Sequence, residues 1–232
     1  MGDLFARTPL VLGGAFGSGK TEIALSLSLE ALRRRGGEVV LVDLDLVTPF
    51  FRARDAVRAL EEAGVKVLYP RGFPAGVDLP ILPPGVSEAV AFAEFAVLDV
   101  GGGRMGSRVL GGLASAVSAR GGRVLAVVNP YRPMSASPAA IVQGVEQLSA
   151  DLRLPVDGLF ANPNLGRSTG RDEVMRGLEP VRAGADQLGL PISALGIGEH
   201  LTVEGQLPEW ALDAAGDADV ISVGHRLLLD WE

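Results

Sequence analysis

Short apolar runs alternate along this chain with longer amphipathic stretches. The runs fall at 10–12, 39–42, 65–68, 96–100, 124–128, 156–160 and 192–195, and most are apolar at successive positions rather than at every second one. That pattern predicts central strands covered on both faces. Between them, helical periodicity predicts helices near 21–35, 54–62, 87–94, 105–120, 138–152 and 171–188. In the first of these, Ile23 and Leu27 share one face, and Leu25, Leu29 and Leu32 a neighbouring one. Gly36-Gly37 closes that helix, because glycine reaches positive φ without a steric cost. Regular alternation of strand and helix predicts a doubly wound α/β domain with about seven mostly parallel strands.

No internal repeat or linker divides the chain, so it reads as a single domain over 1–232, with room for a C-terminal extension over 205–232. The least regular stretch is 70–85, which carries five prolines and reads either as a lid or binding loop or as a rigid crossover. The stretch 217–229 has the length and apolar content of a last helix.

The strongest chemical signal is Gly14-Ala15-Phe16-Gly17-Ser18-Gly19-Lys20-Thr21, which fits G-x-x-x-x-G-K-[ST] at every fixed position. Glycines let such a loop fold into a concave nest with N–H groups turned inward at phosphate oxygens. The helix that follows adds the positive end of its dipole. Lys20 can reach the β- and γ-phosphates as a point charge, and the Thr21 hydroxyl can ligate Mg²⁺. The motif directly follows an apolar strand and opens a helix, as its mechanism requires. Two further strands end in aspartates, Leu41-Val42-Asp43-Leu44-Asp45 and Ala96-Val97-Leu98-Asp99, the latter running into Val100-Gly101-Gly102-Gly103. They place carboxylates at the carboxyl edge of a parallel sheet, where ligands bind. Asp99 has the position of a Walker B aspartate, holding Mg²⁺ directly or through water.

Composition narrows the field. The 232 residues include 28 acidic and 21 basic side chains, for a net charge of −7, which argues against broad binding to nucleic acid backbones. Cysteine is absent, which removes disulfides, thiol nucleophiles and cysteine-held metal clusters. No run approaches the ~20 apolar residues of a membrane span, and no secretory signal is visible, so no membrane insertion and a cytoplasmic setting are expected. Only Lys20 and Lys66 are lysines, against 19 arginines. A compact ammonium suits a nest sized for phosphate better than a planar guanidinium does, which accounts for lysine at 20. Lys66 reads as a surface residue, and His200 and His225 as non-catalytic.

With these elements the chain resembles the P-loop ATPases that include MinD, ParA, dethiobiotin synthetase and cobyrinate diamide synthetase. The resemblance rests on the phosphate loop, Asp43-x-Asp45 and Asp99-Val100-Gly101-Gly102, and extends to Val128-Asn129-Pro130-Tyr131-Arg132-Pro133 and Asn162-Pro163-Asn164-Leu165-Gly166. It implies ATP and Mg²⁺ as ligands. The loop residues Gly14, Ala15, Phe16, Gly17, Ser18, Gly19, Lys20 and Thr21 would cradle the phosphates. Lys20 and Asp45 would be catalytic, Asp45 orienting water or assisting the metal, and Thr21, Asp45 and Asp99 would organise Mg²⁺. Asn162 would read the adenine edge; the N-K-x-D pattern that reads guanine is absent, since Pro163 and Leu165 follow it.

One departure separates the chain from MinD and ParA. Their loop carries a second lysine that reaches the phosphates of a partner subunit, and Ala15 stands there instead. Arg52, Arg54, Arg104 and Arg132 fall near the predicted sheet edge as candidates to supply that charge. A homodimer therefore stays open. Three roles remain: an ATPase switch or assembly factor for a protein partner, a ligase activating a small carboxylate substrate, and a nucleotide sensor without turnover.

Overall fold

In the computed structural model, residues 4–44, 54–69, 82–101 and 112–224 are described. Eight strands form one sheet among them: β1 (Leu10–Gly13), β2 (Val39–Asp43), β3 (Val65–Leu68), β4 (Phe95–Asp99), β5 (Arg123–Val128), β6 (Gly158–Ala161), β7 (Ile192–Gly198) and β8 (Asp219–Val223). Their order is β3-β2-β4-β1-β5-β6-β7-β8, and every pairing is parallel. The helices are α1 (Lys20–Arg35), α2 (Arg54–Ala63), α3 (Val86–Phe92), α4 (Ala114–Ala119), α5 (Pro138–Leu152), α6 (Arg171–Leu188) and α7 (Glu209–Ala215).

The runs of successive apolar residues follow from burial on both faces. Leu10 and Leu12 of β1 join Ile23 and Leu27 of α1 and Leu60 of α2 in one core. Val11, between them, faces the opposite core with Val128, Ile141 of α5 and Leu178 of α6. A strand buried this way has no solvent face on which a polar residue would be favoured.

Most predicted elements appear within a residue or two of their expected bounds. The largest difference is at the last one, and the strand expected at 192–195 runs on to Gly198. Residues 217–229 do not form a helix over their described part; Asp219–Val223 is an eighth strand, paired along β7 from Ala194↔Asp219 to Gly198↔Val223. Its Val220, Ile221 and Val223 are β-branched and buried, and the open edge of β7 supplies the partner that a local pattern cannot show. Of the helix expected near 105–120, the described part is α4, and 102–111 lie outside the described residues. Among the described residues no helix is long and apolar enough to cross a membrane.

The Arg33-Arg34-Arg35 run ends α1 structurally. Arg33 and Arg34 bond Glu30, and the hydrogen bond from Arg33 holds the Glu30 carboxyl below its ordinary value against the opposing effect of burial. Arg34 lies over the Phe5 ring at 4.8 Å and Arg35 over Phe95 at 5.6 Å. Lys66 Nζ meets Glu38 at 3.4 Å on the surface.

Helix α5 starts on Ser137, whose Oγ accepts from Ala140 N at 3.3 Å, with Pro138 in the first turn. Ser137→Ala is expected to lower stability by about 0.5–1 kcal/mol, the lower half of the capping range because the bond is long. Urea unfolding checks this; an unchanged midpoint would show the cap to be idle.

Candidate functional site

The first strand lies inside the sheet, and the chain continues to β2 on one side of it and to β5 on the other. Its carboxyl end is thus the switch point where an open α/β sheet forms a crevice. Residues 14–19 sit there, between β1 and α1. Gly14, Gly17 and Gly19 have φ of 143°, 73° and 91°, a region that favours glycine. Gly14 is also confined from outside, since a Cβ there would stand 2.5 Å from the Val127 carbonyl oxygen.

Lys20 opens α1 as a buried residue, and its Nζ donates to Ala15 O at 2.9 Å, folded back over the loop. Thr21 follows it in the first turn, half-buried. The two strand-end aspartates lie side by side, Asp43↔Asp99 being register partners of β2 and β4, and both are buried. Asp99 is also the register partner of Leu12, at the carboxyl end of β1 just before Gly13 and the loop. The backbone is tied at the same level, Leu44 N donating to Asp99 O at 2.8 Å and Val100 N to Leu12 O at 3.0 Å. Topology therefore brings together Lys20, Thr21, Asp43 and Asp99 at one sheet edge. Asp45, Arg52, Arg104 and His225 lie outside the described residues, as do 70–81 of the proline-rich stretch.

Asn162, at the end of β6, is buried beneath the loop. Its Nδ2 donates to Ser18 O at 2.7 Å, and its Oδ1, packed toward Gly196, has no hydrogen-bond partner among the described residues. Ser18 Oγ is likewise buried without one. Two buried oxygens without a protein partner, one of them on the loop itself, leave room in their bonding for a water or a polar ligand. The residues present fit a Mg·nucleotide: a glycine-built nest, one ammonium, one hydroxyl and carboxylates at the adjacent strand end.

Arg132 is the one of the four candidate arginines that the described structure brings to the loop. Its Nε donates to Gly17 O at 3.0 Å. Its neighbours in the 128–133 segment are scaffolding. Asn129 Nδ2 donates to Asn164 O at 2.9 Å, and Asn129 Oδ1 accepts from Tyr131 N at 3.1 Å. Tyr131 Oη donates to Glu173 O of α6 at 2.6 Å. Gly177 lets α6 approach these turns, for a Cβ there would lie 2.5 Å from Pro163 and 3.1 Å from Pro130. A glycine inside a helix is the signal in the sequence that could have pointed to that contact. His200 serves a neighbouring turn, with its Nε2 2.8 Å from Thr169 O.

The fold matches solved structures over nearly the whole chain. Cell division protein FtsY from Thermotoga maritima superposes with a TM-score of 0.56 at 19% identity, over 91% of this chain and 70% of that one. The fold is that of the P-loop NTPases. The same fold appears in the signal recognition particle receptor FtsY of Elizabethkingia anophelis in complex with GDP, with a TM-score of 0.57 at 20% identity over 93% of this chain and 65% of that one. The 54 kDa signal recognition particle protein of Aeropyrum pernix, also in complex with GDP, gives 0.55 at 20% identity over 91% and 47%. The chain thus spans less than two thirds of the latter two. No protein-family model and no curated protein sequence matches it.

Proposed function

We propose that this P-loop protein binds a Mg·nucleoside triphosphate, ATP in preference to GTP, and hydrolyses it as a switch or assembly factor for a protein partner. The observation that carries the proposal is the buried Lys20 at the mouth of a positive-φ glycine loop, at the sheet's switch point, with Asp99 on the adjacent strand end. In this reading the loop amides and Lys20 would neutralise phosphate charge, Thr21 and Asp99 would hold the metal, and Asp45 would orient the attacking water. Bound Mg²⁺ would supply charge neutralisation between the phosphates.

The missing N-K-x-D pattern after β6 supports adenine, and Asn162 stays the candidate for the base through its Oδ1, since its Nδ2 is engaged on the loop. An oxygen acceptor there suits an exocyclic amino group. GDP in two of the neighbours marks the competing outcome. Membership of a MinD/ParA-like class is proposed with one difference, Ala15 in place of the second lysine. A protein partner is supported by apolar exposure beside the loop: Phe16 is 74% and Met134, two residues past Arg132, 71% exposed.

Calorimetry with Mg·ATP, Mg·GTP and each nucleotide without metal tests the proposal. One site that needs Mg²⁺ and prefers ATP by about tenfold or more is expected, as for one unmatched hydrogen bond to the base. Equal affinity for Mg·GTP removes the purine assignment, and no binding of either removes the function.

A further inference from the structure

The phosphate loop is held from outside by side chains of two other strand ends. Arg132, after β5, donates to Gly17 O at 3.0 Å, and Asn162, after β6, donates to Ser18 O at 2.7 Å. A trans peptide is planar, so a carbonyl and the following N–H point in opposite directions. Fixing the Gly17 carbonyl toward Arg132 therefore aims the Ser18 N–H across the loop, where it makes a long 3.3 Å bond to Ala15 O. Fixing the Ser18 carbonyl orients the Gly19 N–H in the same way. These are amides that a nest must turn inward to receive an oxyanion. Gly17 and Gly19 reach positive φ without strain, but the same freedom lets their peptides rotate away unless something outside holds them.

Arg132 is itself held on a rigid turn. Its N–H donates to Asn129 O at 3.0 Å, and its carbonyl accepts from Ser135 N at 3.0 Å. Ser135 Oγ returns to Asn129 O at 2.6 Å, so the turn is bonded at both ends. The Asn129 amide and Tyr131 tie it to the β6 turn and to α6 as described above. An exposed arginine would ordinarily sample many rotamers; this one spends its Nε on a loop carbonyl, and a charged donor makes that bond stronger than a neutral one would.

We propose that Arg132 is a positioning residue for the phosphate site, locking the Gly17–Ser18 peptide so that the Ser18 N–H faces the bound phosphate. The inference rests on the nucleotide reading of the loop. It assigns Arg132 to ordering the loop before the ligand arrives, which changes ground-state and transition-state binding equally. The test uses the full chain with Arg132→Ala and Arg132→Lys, read by amide hydrogen exchange of 14–19 without nucleotide, and by Kd and kcat with Mg·ATP. For Arg132→Ala, Ser18 exchange at least ~10-fold faster and a Kd raised about tenfold are expected, with kcat within about threefold of wild type. Lysine, which keeps a charged donor, is expected to bring both back to within about threefold. Unchanged Ser18 exchange in Arg132→Ala overturns the proposal. So does a fall in kcat with Kd unaltered, which would put the guanidinium on the transition state instead. If wild type binds no nucleotide, the function falls, while the exchange comparison still decides whether Arg132 orders the loop.

Discussion

Lys20→Ala is expected to fold like wild type and to bind Mg·ATP at least ~100-fold more weakly, the effect of losing one or two charge-assisted hydrogen bonds. Lys20 is buried, with its Nζ folded onto Ala15 O at 2.9 Å. A triphosphate in the nest would draw it onto oxygens bearing full charge, at a site screened from water, where the interaction is stronger than at the surface. Removing the buried ammonium removes its desolvation cost but also its bond to Ala15 O, so stability is measured beside affinity. Calorimetry and thermal unfolding separate the two effects. With Mg·ATP at about 100 times the wild-type Kd, wild type should gain ~2.7 kcal/mol and the variant almost nothing. Matching ligand-induced shifts in both proteins would show that the phosphate does not sit at Lys20. Lys20→Arg should fail to restore binding, because the planar guanidinium does not match a nest closed around a compact charge.

Gly14→Ala is expected to destabilise the fold by about 2–5 kcal/mol, combining backbone strain with a steric clash. Its φ of 143° lies where L side chains rarely go, and a Cβ would stand 2.5 Å from Val127 O and 3.3 Å from Val127 N. Those atoms belong to β5, paired with β1 through Gly13↔Ala126, so they cannot yield without opening the centre of the sheet. A clash with a flexible side chain could relax; this one is with a strand backbone. Urea unfolding gives the stability change. A loss below ~1 kcal/mol would mean that the β1–loop junction moves freely, and that the loop is less fixed than its contacts indicate.

The strands and most helices were legible because burial on both faces leaves a continuous apolar signal, as at Leu10-Val11-Leu12, and because Gly36-Gly37 marks a helix end. The eighth strand was not. Val220, Ile221 and Val223 are too few to carry a period, and what makes them a strand is the free edge of β7. The glycine loop after β1 was legible for the opposite reason: its glycines, Lys20 and Thr21 fall within one contiguous segment, so spacing alone brings them together. Arg132 and Asn162 act on that loop from 115 and 144 residues away, and no local pattern relates such positions. The adenine contact expected of Asn162 came from the resemblance to the P-loop ATPases; that the same amide holds Ser18 O depends on β6 lying two strands from β1.

The sequence by itself determined the parallel α/β class, the glycine loop between β1 and α1, and the carboxylates at strand ends. Each is a local matter of which residues can be buried on two faces, or can take positive φ, within a few positions of one another. Tertiary structure alone decided the strand order, the pairing of Asp43 with Asp99, and which distant side chains brace the loop. Those depend on which strand ends become neighbours, and that is fixed by crossover connections and packing on both faces of the sheet rather than by any single segment.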